Sequence, residues 1–237
     1  MDTETEIAER AELARSFARC ATREAQRALR ARGRFVLALP GGSAAEAFVP
    51  ALAASAIAWP RVDLVWVDER AVPADDPDSN YGLAWRRGLG ALALAPQRVH
   101  RLRGEASDLE RAAQEGERAL RRALGSPPRI DLALVGVGAD GHLAALFPGR
   151  RALEERRRWV VPVVDAPKPP PRRLTVTLPV FALVDLLVVA AFGAEKADVV
   201  RAAVEEPGSE LPLARAARLA KRRLFLLDAA AASAISG

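Results

Sequence analysis

The chain contains two histidines, His100 and His142. His142 closes the turn GVGADGH, which follows the apolar run Ile130 to Val135. Glycines on both sides of that turn, Gly138 and Gly141, let backbone approach a ligand closely. Open α/β sheets take their ligands just beyond the carboxyl ends of strands. An imidazole delivered there titrates near neutral pH and can act as a general base. His100 lacks such a setting and reads as an ordinary surface or core residue.

Gly136 to Gly141 also spells GxGxxG, which raises the question of a dinucleotide turn. That motif must open a long helix, because the pyrophosphate rests on the helix N-terminus. Here Pro148 follows Gly141 by seven residues, leaving room for only about two turns. Asp165 lies too far along for the ribose-binding acid and precedes PKPPPRR. The glycines therefore read as a turn that delivers His142, and no coenzyme is expected.

The elements that must position this turn alternate along the chain. Residues 5 to 32 have helical apolar spacing ending at Gly33, and Phe35 to Leu39 is a buried-strand run. PGGS then leads into a helix from about Ala44 to Ser55. Val62 to Val67 reads as a strand, DERAVPADDPDSN as a polar loop, and a helix starts near Asn80. Arg98 to Leu102 is a strand candidate, Asp108 to Leu124 an amphipathic helix, and Ile130 to Val135 a strand. Trp159 to Val164 and Leu174 to Leu178 are strand candidates around a proline-rich loop. Leu186 to Phe192, helices from about Glu195 and Pro212, Leu224 to Leu227 and a closing alanine helix complete the pattern. Apolar strands alternating with helices imply an α/β fold with a mostly parallel sheet covered on both faces. No linker or repeat interrupts residues 1–237, so one domain is expected.

Composition narrows the function. The chain has 237 residues, half of them hydrophobic, enough for a substantial core. The net charge of +5 comes from arginines scattered through alanine-rich helices. Nucleic-acid binding would instead cluster basic residues with aromatics, which make up only 5% of this chain. Cys20 is the single cysteine, so neither an internal disulfide nor a cysteine metal site is expected, which suits a cytoplasmic protein. Pro179 and Asp185 interrupt the longest apolar region, which argues against a membrane span.

Four segments taken together resemble the 6-phosphogluconolactonase family: LALPGGSAAEAF, VDLVWVDERAVPADDPDSNYGL, IDLALVGVGADGHLAALFPG and PVVDAPKPPPRRLTVTLP. FGAEKA at 192–197 extends the likeness. The resemblance implies a modified doubly wound α/β fold shared with glucosamine-6-phosphate deaminases and ribose-5-phosphate isomerases. It also implies hydrolysis of a sugar-phosphate lactone in the pentose phosphate pathway, without metal or cofactor, while leaving the oligomeric state open.

The residues fit that chemistry. PGGS at a strand-to-helix turn offers an anion the amides of Gly41 and Gly42, the Ser43 hydroxyl and a helix N-terminus. Arg70, Lys168 and Arg173 supply cations for a phosphate, with Arg173 preferred to Arg172 because the family places its arginine two residues before a threonine, here Thr175. Lactone hydrolysis needs a positioned water, a base and donors for the developing oxyanion. The resemblance assigns the base to His142; Asp140 is placed to hold its tautomer, and backbone amides near Gly41, Gly42 or Gly138 can stabilise the oxyanion. Asp68 and Glu69 either hold Arg70 or sugar hydroxyls, or form a salt-bridge network. Asn80 binds hydroxyls or caps the following helix.

The chain departs from the family after the histidine, where Leu143 and Ala145 replace a threonine and a serine. Two alternatives stand beside the lactonase. A deaminase or isomerase would carry an acid five residues after the histidine, where this chain has Phe147, and DEY in place of DER. A noncatalytic sugar-phosphate sensor would keep the cradle alone.

Overall fold

In the computed structural model, which describes residues 3–236, strands and helices alternate along most of the chain. In order they are β1 (Thr3–Ile7), α1 (Arg10–Arg32), β2 (Phe35–Leu39), α2 (Gly42–Ala53), β3 (Val62–Trp66), β4 (Asp68–Arg70), α3 (Asn80–Arg86), β5 (Val99–His100) and α4 (Leu109–Leu124). There follow β6 (Ile130–Gly136), β7 (Val160–Val163), β8 (Arg173–Val176), α5 (Leu178–Phe181), β9 (Val184–Ala191), α6 (Ala197–Glu205), α7 (Pro212–Leu219) and β10 (Arg222–Leu227).

Seven strands form a parallel sheet in the order β1-β10-β9-β6-β2-β3-β5. Its central strands are apolar on both faces and alternate between two cores, as period-two side chains must. Phe35, Leu37 and Leu39 of β2, Leu132 and Leu134 of β6, and Leu186 and Val188 of β9 join α1 and α2 in one core. Val36, Ala133, Val135, Leu187 and Val189 face α4, α6 and α7 in the other. The expected α/β architecture with helices on both faces is therefore present.

The chain leaves β2 toward β3 and β5, then returns through β6 to the other side of β2. Neighbouring strands whose connections diverge open a crevice at their carboxyl ends, where such sheets bind ligands. The PGGS turn follows β2 and the GVGADGH turn follows β6, so both reach this crevice.

Three expectations need correction. The N-terminal segment is not helical throughout: Thr3–Ile7 is an edge strand paired with β10, and its alternating polar sequence concealed it. Asp68–Arg70 is not loop; it leaves the main sheet and pairs antiparallel with β8, which pairs with β7. The closing alanine helix is a run of turns over 229–234, begun by Asp228, whose carboxylate accepts from Ala231 N at 2.8 Å. That side chain also takes Gly193 N at 3.0 Å, so it ties the terminus to the end of β9.

Candidate active site

A cleft of about 400 Å³ lies over the crevice. Its walls include Gly41, Gly42, Ser43, Asp68, Arg70, Asn80, Gly138, His142, Lys168 and Arg173. The structure thus brings together every residue expected at the site except Glu69 and Asp140, and Asp140 is hydrogen-bonded to His142.

Asp140 and His142 share a tight turn. Gly138 N donates to His142 O at 2.9 Å and Gly141 N to Gly138 O at 2.9 Å, with Gly141 at φ +78°. A Cβ on Gly138 would lie 2.0 Å from His142 Cε1, so this position must be glycine for the ring to sit where it does. The Gly138 amide is consumed by the turn, which corrects its expected part as an oxyanion donor. The Gly41 and Gly42 amides, at the cap and first position of α2, have no carbonyl partner within the helix and remain suited to that task.

His142 Nδ1 hydrogen-bonds Asp140 Oδ1, and Nε2 makes no hydrogen bond among the described residues. Burial pushes the imidazole below its ordinary pKa, with Asp140 partly opposing the shift. Burial alone would raise Asp140, but its hydrogen bond to His142 and the charges nearby outweigh this and lower it. One face of the imidazole meets the buried Phe147 ring, centroids 4.4 Å apart. A neutral imidazole, oriented by a carboxylate on one nitrogen and open on the other, is the arrangement of a general base.

Leu143 and Ala145, the departures from the family pattern, are both 0% exposed and lie outside the cleft wall. Leu143 belongs to the main core, and Ala145 packs with Phe147, Val163 and Ala166. Thr175 secures this loop from β8 by accepting from Ala145 N at 3.1 Å. The residue of this stretch that does face the cleft is Ala144, at φ +51°.

On the opposite wall, the antiparallel pairing of β4 with β8 sets Arg70 directly across from Arg173. Like charges facing each other on adjacent strands repel, and an anion between them would relieve that repulsion. Asp68 is buried beside Arg173 and accepts from Asn80 Nδ2 at 3.1 Å. Burial raises its carboxyl, and Arg70 and Arg173 partly offset the rise. Asn80 Oδ1 is buried without a partner, and a Cβ on Gly41 would collide with it at 1.7 Å. Gly41 thus leaves room for an unpaired acceptor at the cleft.

Glu69, 2% exposed, resolves the open question of the DER segment. Its carboxylate accepts from Arg70 N and Asn80 N, both at 2.7 Å, from Tyr81 N at 2.9 Å and from the Ser79 hydroxyl at 3.1 Å. It binds the start of α3 to β4 and is structural.

Glu195 and Lys196, which the sequence pattern does not single out, also line the cleft just past β9. Burial lowers the Lys196 pKa. The available signal was their place after a buried strand, the same one that singled out His142. Among the described residues, no group of three or more His, Cys, Asp or Glu side chains could hold a metal ion. No described helix is long and apolar enough to cross a membrane.

A switch-point cleft with cations on its walls and one carboxylate-oriented histidine defines a class of parallel-sheet enzymes acting on small phosphorylated substrates. The family model described as glucosamine-6-phosphate isomerases/6-phosphogluconolactonase matches residues 8–225, and the chain belongs to this family. A 6-phosphogluconolactonase of Rattus norvegicus is 40% identical over 212 residues, covering 86% of this chain and 82% of that protein. The solved 6-phosphogluconolactonase of Trypanosoma brucei superposes with a TM-score of 0.84 at 25% identity, covering 99% of each chain. A monomeric glucosamine-6-phosphate deaminase superposes at 0.80 with 24% identity, covering 99% of this chain and 100% of that one. At that identity the likeness concerns the fold alone.

Proposed function

We propose that the chain, acting as one domain, hydrolyses 6-phospho-D-glucono-1,5-lactone to 6-phospho-D-gluconate in the cytoplasm. The observation that carries this reading is the imidazole of His142 in the wall of a cation-lined cleft, held through Nδ1 by Asp140 and with Nε2 unpaired among the described residues. The similarity to lactonases agrees with it.

In the proposed reaction His142 Nε2 takes a proton from water as the water oxygen bonds to the lactone C1. Amides of Gly41 and Gly42 receive the oxyanion. Collapse of the tetrahedral intermediate breaks the C1–O5 bond, and the imidazolium returns its proton to O5. Asp140 steadies the imidazolium throughout. Arg70, Lys168 and the Ser43 hydroxyl form the phosphate cradle, with Arg173 adding positive potential. Asp68 and Asn80 meet sugar hydroxyls.

Phe147 argues against the deaminase, since it places an apolar ring where that chemistry uses an acid. The deciding assay follows hydrolysis of freshly generated lactone with the spontaneous rate subtracted. Wild type should add rate, and His142→Ala should lose at least about 100-fold, the contribution of one general base. Equal rates would refute the proposal, and ammonia release from glucosamine 6-phosphate would replace it with the deaminase.

A further inference from the structure

We infer that Arg173 is a positioning residue: its guanidinium fastens the proline-rich loop so that Lys168 is presented to the cleft, and the phosphate is gripped through Lys168. This rests on the phosphate cradle proposed above and assigns Arg173 a different part from the direct contact expected of it.

Hydrogen-bond accounting supports the assignment. A guanidinium has five N–H groups in a rigid fork, and a bidentate phosphate contact uses one edge of it. Arg173 Nε donates to Pro170 O at 3.1 Å, and Nη2 donates to Lys168 O at 3.1 Å and Pro169 O at 3.3 Å. The Nε–Nη2 edge is therefore committed to three successive loop carbonyls. Nη1 lies 3.9 Å from Asp68 Oδ2. The guanidinium also stands over the Phe147 ring at 5.5 Å, and the side chain is only 5% exposed.

The loop needs such a strut. Pro167, Pro169, Pro170 and Pro171 have no N–H, so the segment cannot brace itself with a ladder. Its one internal backbone bond runs from Ala166 N to Pro171 O at 3.0 Å. Lys168, between these prolines, is half exposed, lines the cleft and lies 4.0 Å from Asp140. Arg172, next in sequence, is exposed and outside the cleft wall.

Dissociation constants for 6-phosphogluconate, with kcat and KM for the lactone, test the inference in wild type, Arg173→Lys, Lys168→Met and the double variant. Each single change should weaken product binding about tenfold, and the double should weaken it about tenfold as well, because the first loss already includes the second. Arg173→Lys should raise KM and leave kcat and the acid limb of the pH profile in place. Amide exchange at Ala166, whose N–H closes the loop onto Pro171 O, should accelerate in Arg173→Lys but not in Lys168→Met. Pro170→Gly, which keeps every cation, should also weaken product binding and provides the test should Arg173→Lys fold poorly. Losses that multiply to about 100-fold in the double variant, or wild-type affinity in Pro170→Gly, would overturn the inference and restore Arg173 as a direct ligand. A wild type that adds no lactonase rate would defeat the proposed function, while product binding and exchange would still read the loop.

Discussion

At the residue scale, the environment of His142 fixes a pH dependence. Its pKa lies below the ordinary value because burial disfavours the charged ring more than Asp140 favours it. The neutral, proton-accepting form therefore prevails at pH 7, and kcat/KM should fall only as pH drops below about 6.5, the unperturbed histidine value. Asp140→Asn removes the group that pulls the pKa up, so the acid limb should move to still lower pH. The rate at neutral pH should nevertheless fall at least about 100-fold, because an amide can stabilise the wrong tautomer and cannot neutralise the imidazolium. A pH–rate profile of the variant measures both. An acid limb that rises, or a retained rate, would remove Asp140 from the mechanism.

At the element scale, β4 and α3 depend on one carboxylate. Glu69 serves four donors, three of them backbone N–H groups of Arg70, Asn80 and Tyr81. Burial pushes its carboxyl up, opposed by those backbone bonds. In Glu69→Gln one oxygen becomes an NH₂ facing donors, so stability should drop by about 2 kcal/mol in urea unfolding. KM should rise as Arg70 and Asn80 loosen, and an unchanged KM would separate the clamp from the site. What could be read from sequence follows the same physics. Buried strands such as Phe35–Leu39 and Val184–Ala191 declare themselves through apolar runs, and His142 through its glycine-flanked place after one of them. The strand Asp68–Arg70 could not be seen, because its pairing partner lies about a hundred residues away. Nor could the occupation of Gly138 N and of the Arg173 fork, since both are consumed by backbone carbonyls that no side-chain pattern encodes.

At the scale of the whole molecule, the two ends of the sheet carry different work. The carboxyl ends hold the cleft, and the opposite edge holds a repeated feature: β3, β6 and β9 begin VDL, IDL and VDL. Asp63, Asp131 and Asp185 are all buried there. Asp63 pairs with Arg34 and Arg98, Asp131 with Arg32 and Arg129, and Asp185 with Arg129 and Lys221. Asp131 also accepts from Val36 N at 2.9 Å, joining β6 to β2 below the crevice. These cations are partly exposed and can turn to water, so the main cost of losing Asp131 is the buried Val36 N–H left without an acceptor. Asp131→Ala should therefore destabilise the fold by about 1 to 3 kcal/mol while the folded enzyme keeps its kcat/KM. Urea unfolding beside steady-state kinetics tests both halves. A stable variant with impaired turnover would mean that the two edges are coupled through β6 and that stability and chemistry are not divided between the ends of the sheet.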